Sequence, residues 1–150
     1  MNRWPDKLAL LVITFWVGSL WAIGALAAPT LFKVIPTSYL AGLVAGKMFT
    51  LVAYVGMASG AYLLAYYISR FGAGAFRQAV FWVVAAMLLI TLLGHFGIQP
   101  IMAEIRAQAA VPADVMQGMF ANRFRTWHGI ASIAYLLECV LGVVLVLRAR

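Results

Sequence analysis

Apolar residues fill four long stretches of this chain, and polar residues interrupt them only briefly. A helix needs about 20 apolar residues to cross the hydrocarbon core of a bilayer, and each stretch reaches that length. The pattern predicts four transmembrane helices, at residues 8–32, 40–68, 79–105 and 127–147. We therefore expect an all-α integral membrane protein that forms a single transmembrane domain over residues 1–150, an antiparallel four-helix bundle. Pro112, Ala113 and Asp114 indicate the start of a short interfacial helix before helix 4.

The composition excludes a water-soluble domain. Of the 150 residues, 65% are hydrophobic and 10% are charged, and the mean hydropathy is +0.98. The formal net charge is +7, but the basic residues are scattered between the apolar stretches. We expect the lipid bilayer as their partner and no nucleic acid. Cys139 is the single cysteine, so an intrachain disulfide is excluded.

An even number of spans places both termini on one side of the membrane. Apart from Lys47, which falls inside helix 2, slightly more basic residues lie on the side of the termini (Arg3, Lys7, Arg70, Arg77, Arg148 and Arg150) than on the other (Lys33, Arg106, Arg123 and Arg125). Cytoplasmic loops carry an excess of Lys and Arg, so this bias predicts that both termini are cytoplasmic.

The third apolar stretch carries an unusual group of polar residues near its outer end. His95 and Gln99 lie one turn apart on one face of the predicted helix, and Met102 follows nearby. Pro100 lacks an N–H and clashes with the carbonyl of Phe96, so a kink is predicted there. Polar groups are expensive in hydrocarbon, and a kinked helix beside a histidine is typical of a site.

Two further ionisable residues fall within the spans. Glu138 lies at mid-membrane depth in helix 4, so we expect it to face the interior, protonated, hydrogen-bonded or paired, with Tyr135 or a group on helix 1 as its partner. Lys47 lies two to three turns inside helix 2. It either snorkels to the outer headgroups or faces inward, and the sequence leaves both alternatives open.

Small residues line one face of helix 2. At 100° per residue, five of them fall within about 40° of one line: Gly42, Gly46, Ala53, Gly56 and Gly60. Such a stripe lets another backbone approach closely, so it predicts the central packing face of the bundle. Trp16 and Trp21 lie too deep for both to be interface anchors, and we expect one of them to pack inside.

The geometry of the helices predicts one polar site in the outer half of the bundle. Helix 3 runs outward and helix 4 runs inward, so His95 and Gln99 lie at a depth similar to that of His128. We expect these three side chains and the kink at Pro100 to converge.

Three functions fit such a site. His95, His128 and Met102 suit copper, and two opposed imidazoles suit haem. Alternatively, Lys47, Glu138, the histidines and the kink form a polar path in a small-molecule or proton-coupled transporter that acts as an oligomer. In the third alternative the polar groups join helices in a structural or assembly subunit, which binds a second copy or another membrane protein. A bound cofactor favours the first, a cavity that reaches Glu138 the second, and a dry interior the third; whether the protein is an enzyme stays undecided.

Three motifs resemble a known family. The chain contains Trp21 followed by Ala28-Pro29-Thr30-Leu31-Phe32, then Gly94-His95-Phe96 with Gln99-Pro100-Ile101-Met102, then Trp127-His128-Gly129-Ile130. It is similar in these to short bacterial members of the transmembrane protein 205-like family, domain of unknown function 4149. The resemblance implies four helices and a bacterial inner (plasma) membrane, but no reaction. More distantly, the helix pattern resembles CopD-type copper proteins and HemJ-type protoporphyrinogen oxidases, from which no catalytic residue carries over.

Overall fold

The computed structural model describes residues 4–108 and 117–149, and they form four long helices. They are α1 (Trp4–Val34), α2 (Ser38–Phe71), α3 (residues 79–108) and α4 (Gln117–Arg148). Each contains a segment long and apolar enough to cross a membrane. The predicted all-α fold with four spans is confirmed, and the chain is a multi-pass membrane protein.

The helices are longer than the apolar stretches that predict them. α1 begins four residues before the predicted span, and α2 ends at Phe71 instead of residue 68. Helical hydrogen bonds continue into flanking polar residues, which a count of apolar residues leaves out. The predicted start of an interfacial helix, residues 112–114, lies outside the described residues. From Gln117 onward the chain is one continuous helix, so this part of that segment forms the first turns of α4.

The four helices run antiparallel and close into a bundle. Each helix packs against the next, and α1 also contacts α4. Gly72 ends α2 with φ of +53°, a conformation that glycine adopts readily, and a 3₁₀ turn over Gly72–Arg77 leads into α3. We call the end that holds Trp4 and Gly72 the terminal end, and the opposite end, with Val34 and Ser38, the distal end.

The terminal half of the bundle holds most of the tightly packed core. Leu63, Val84 and Leu145 come from three helices and are fully buried there. Trp16 of α1 packs among them with 0% exposure, whereas Trp21 is 43% exposed. The prediction that one of the two tryptophans packs inside is confirmed.

Two helices widen in the distal half. α1 contains a π-helical segment over Ala22–Ala27 and α3 contains another over Gly94–Ile98. A proline follows each segment closely, Pro29 in α1 and Pro100 in α3. A π turn is a local adjustment by which a helix accommodates a residue without an N–H. The feature observed beside Pro100, where the sequence predicts a kink, is this widened turn.

Candidate functional site

A cavity of about 1240 Å³ occupies the distal half of the bundle. All four helices line it, and most of the lining side chains are apolar. The volume is above the range of roughly 300–1,000 Å³ typical of small-molecule pockets. Its wall includes the polar residues that the sequence predicts for the site and one more cation, Arg106; the predicted residues are Lys47, His95, Gln99, His128 and Glu138.

Glu138 lies at the inner end of the cavity. Its side chain is 5% exposed, and its Oε1 lies 2.6 Å from the hydroxyl of Thr91 on α3. The predicted partners, Tyr135 and a group on α1, are therefore wrong. Thr91 reaches Glu138 because α3 and α4 pack closely at this depth, where Met87 of α3 also lies against Gly142.

Gln99 pairs with helix α2 across the cavity wall. Its side-chain amide lies 3.0 Å from the hydroxyl of Thr50, which also lies 2.9 Å from the carbonyl of Gly46. This contact satisfies one end of the amide in a largely apolar environment, where an unpaired polar group is costly. Gln99 thus joins α3 to α2 and does not contact either histidine through a hydrogen bond in the described part of the chain.

His95 faces aromatic side chains. Its ring lies 5.1 Å from that of Tyr54 and 4.8 Å from that of Phe96, in edge-to-face geometry. Its Nδ1 is buried and has no hydrogen-bond partner among the described residues. A buried ring nitrogen without a partner is unusual, because polar groups in such positions are nearly always satisfied.

His128 lies on α4 in the wall of the same cavity. Its ring is exposed and stacks on that of Phe124 at 5.8 Å, with 6° between the planes. His95, Gln99 and His128 therefore share one cavity, although no hydrogen bond joins His128 to the other two within residues 4–108 and 117–149. Their convergence on a single bound group stays a prediction.

Arg106 is a cavity residue that the sequence reasoning placed outside the bundle. Its Nη1 donates a hydrogen bond to the carbonyl of Gly42 at 2.8 Å, and its Nε donates to that of Met102 at 3.1 Å. Met102 itself is 8% exposed and lines the cavity. The spacing of Gln99, Met102 and Arg106 puts all three on one face of a helix. This spacing in the sequence could have predicted that Arg106 faces the cavity.

The small-residue stripe of α2 meets different surroundings along its length. A Cβ at Gly56 would lie 2.9 Å from Nε1 of Trp16, and one at Gly60 would lie 3.1 Å from Leu88. In the distal half, the atoms nearest to a Cβ at Gly46 would be those of the Arg106 guanidinium, with Nη1 at 3.0 Å. No atom of the described residues lies within 4 Å of a Cβ at Gly42, because that turn borders the cavity; close helix packing at Gly42 stays a prediction.

Tyr135 of α4 contacts α1 at and just before its π-helical segment. Its hydroxyl donates a hydrogen bond to the carbonyl of Leu20 at 2.6 Å. A Cβ at Gly24 would clash with Cε1 of Tyr135, so glycine fits best at this place. The π-helical segment that begins at Ala22 thus has a specific partner on the neighbouring helix.

Comparison with known protein families matches residues 11–111 to the family described as domain of unknown function (DUF4149). This range covers more than half of the chain and includes most of the residues that line the cavity on α1, α2 and α3. No curated protein and no solved structure matches the chain. The distant likeness to copper proteins and protoporphyrinogen oxidases therefore stays a prediction.

Proposed function

The chain belongs to the DUF4149 family, and from its distal cavity we propose that it binds a small amphipathic molecule in the outer half of a bacterial inner membrane. The observation that carries this proposal is the cavity of about 1240 Å³, which reaches from the distal end to Glu138. A mostly apolar wall with a few polar groups is typical of small-molecule sites.

The two widened helices support the same proposal. The π-helical segments of α1 and α3 both contribute to the cavity wall, through Gly24 and His95 among others. Interruptions of this kind recur at functional sites, and transporters place their substrates at broken helices. Binding in this cavity is the step that a small-molecule transporter needs, and with four helices such a transporter would act as an oligomer.

The proposal can be tested with a large side chain that fills the cavity and leaves the helix packing intact. A Cβ built on Gly42 or on Gly18 would meet no described atom within 4 Å, but of these two glycines Gly42 lines the cavity and Gly18 does not. We expect Gly42→Phe to eliminate a small molecule that co-purifies with the wild-type protein, and Gly18→Phe to retain it. Native mass spectrometry of protein extracted from its own membrane measures both. Retention of the molecule by Gly42→Phe would refute the proposal.

Binding of copper or haem is the second candidate, and the unpartnered Nδ1 of His95 favours it. His128 and Met102 line the same cavity and are the other ligands that the sequence predicts. Thioether and imidazole ligands suit Cu(I), and paired imidazoles suit haem. Elemental analysis and an absorption spectrum of the purified protein decide this, and His95→Ala and His128→Ala should each abolish a bound metal or haem while the protein still folds.

A further inference from the structure

We infer that the amphipathic ligand of the cavity is an anionic lipid, with its headgroup between Arg106 and Lys47 and an acyl chain along the apolar wall toward Glu138. This inference rests on the proposed function, since it names the chemical class of the molecule that the cavity binds. The positive charge at the mouth of the cavity and the length of the cavity both support this inference.

The mouth of the cavity is positively charged. Arg106 and Lys47 both line it, and Lys47 is next to Gly46, the residue that the guanidinium of Arg106 approaches. Among the described residues of the wall, Glu138 is the only acidic one, and it lies at the other end. The two cations thus complement a molecule that carries its negative group at the distal end.

The guanidinium of Arg106 is held in place and still has donors to offer. Two hydrogen bonds, to the carbonyls of Gly42 and Met102, fix its position. A guanidinium has five N–H donors in a planar fork that matches phosphate oxygens, so donors remain for a ligand. Lys47 is exposed at the same level and adds a mobile ammonium group.

The length of the cavity matches one leaflet. Arg106 lies beside Gly46 of α2, and Thr91, the partner of Glu138, lies beside Gly56. Ten residues of α-helix span about 15 Å, which is about half of the roughly 30 Å hydrocarbon thickness of a bilayer. A headgroup at Arg106 therefore places an acyl chain along the depth that the cavity offers.

The wall between these two levels suits an acyl chain. Phe49, Ile90 and Ile98 contribute apolar surface there. The amide oxygen of Gln99 is already paired with the hydroxyl of Thr50. The remaining polar groups of the wall are few, among them the two histidine rings and the carboxyl of Glu138, so most of the bound chain would contact hydrocarbon.

The test compares two lipids with identical chains. The full-length protein in detergent is titrated with dioleoyl phosphatidylglycerol or dioleoyl phosphatidylcholine, and binding is measured by native mass spectrometry. We expect the anionic lipid to bind at least ten-fold more tightly. Inorganic phosphate at the same concentrations should not compete, because it lacks the chain that fills the cavity; competition would show a site for a free anion and overturn the inference.

Charge variants separate the headgroup contribution. Lys47→Gln and Arg106→Gln should each weaken binding of phosphatidylglycerol about five-fold, the contribution of one basic residue near a membrane surface. Lys33→Gln and Arg125→Gln remove exposed charges that do not line the cavity, and should leave binding unchanged. Arg106→Lys keeps the charge and should retain the preference. If Arg106→Gln does not fold, Lys47→Gln and Arg106→Lys still test the inference.

The outcomes distinguish this inference from the proposed function. If both lipids bind equally and Gly42→Phe abolishes both, the cavity binds an apolar molecule and the anionic class is wrong. If charge variants weaken binding but Gly42→Phe does not, the lipid lies on the surface and the inference fails. If neither lipid binds the wild-type protein, the inference also fails, while the molecule retained from the native membrane still tests the proposed function.

Discussion

The hydroxyl of Thr91 on α3 lies between two oxygen atoms, at 2.6 Å from Oε1 of Glu138 and 2.9 Å from the carbonyl of Met87. A hydroxyl has one hydrogen, and the carbonyl of Met87 only accepts. Both contacts are satisfied together when Glu138 is protonated and supplies the second hydrogen. A neutral carboxyl also fits its 5% exposure, because an unpaired charge at this depth is costly.

Removing the hydroxyl of Thr91 should destabilise the bundle. Thr91→Val keeps the shape but leaves the carboxyl of Glu138 without its partner, which costs about 1–3 kcal/mol in the free energy of unfolding. Thr91→Ser keeps the hydroxyl and should cost less. Thermal unfolding in detergent measures the difference, with Thr14→Val as a control, since Thr14 bonds only to the carbonyl of Leu10 in its own helix. Equal melting temperatures for Thr91→Val and Thr91→Ser would contradict this pairing.

Glycine should be indispensable at position 24. In Gly24→Ala the new Cβ would clash with the ring of Tyr135, so either this ring or the two helices must shift, and the hydrogen bond to Leu20 weakens. We expect a loss of about 1–3 kcal/mol, typical of overpacking. Gly18→Ala is the matched control on the same helix, and it should be neutral or slightly stabilising because alanine favours helices. The two melting temperatures measured in one detergent check this, and similar values would disprove it.

A large side chain at Gly56 should disrupt the bundle. Gly56→Leu would push its Cβ to within 2.9 Å of Nε1 of Trp16 and 3.2 Å of Thr91, neither of which has room to move inside the core. Loss of folded protein on size-exclusion chromatography is the expected result. Ala58→Leu, which adds the same side chain to an exposed position of α2, should behave like the wild-type protein. Wild-type behaviour of Gly56→Leu would show that this face does not support packing.

The orientation in the membrane can be tested with reporters. The four spans and the modest bias of Lys and Arg predict cytoplasmic termini. A green fluorescent protein fused to the C-terminus should therefore fluoresce, and alkaline phosphatase at the same place should be inactive. The reverse pattern would place the distal half of the bundle, and with it the cavity, in the cytoplasmic leaflet and would contradict the proposed outer site.

The four helices follow from hydropathy because a span is a local property of about 20 residues, and the signal in each apolar stretch is strong. The burial of Glu138 also follows, since a carboxyl at mid-membrane depth has few alternatives. The spans and the burial of Glu138 depend on the bilayer and on the residues concerned. No knowledge of neighbouring helices is needed to predict them.

The cavity and the hydrogen-bond partners of its polar residues depend on which helix faces lie opposite each other. A single sequence does not reveal this arrangement. Thr91 gives no sign of pairing with Glu138, because a threonine in a helix can always satisfy its hydroxyl on its own backbone, as Thr91 does with Met87. Arg106 resembles any headgroup-facing cation until the carbonyl of Gly42 is found beside it. Hydrophobic periodicity predicts which face of each helix is apolar, but it does not predict whether two such faces pack tightly or leave a cavity between them.

The contrast between a filled terminal half and a hollow distal half implies unequal local stability. Side chains such as Trp16 and Leu145 hold the terminal half, whereas around Gly42 few contacts oppose separation of the helix ends. Local opening requires least free energy where buried apolar contacts are few. Backbone amides of the distal turns should then exchange with deuterium earlier than those near Leu63, and a molecule seated in the cavity should slow the exchange of the distal turns alone.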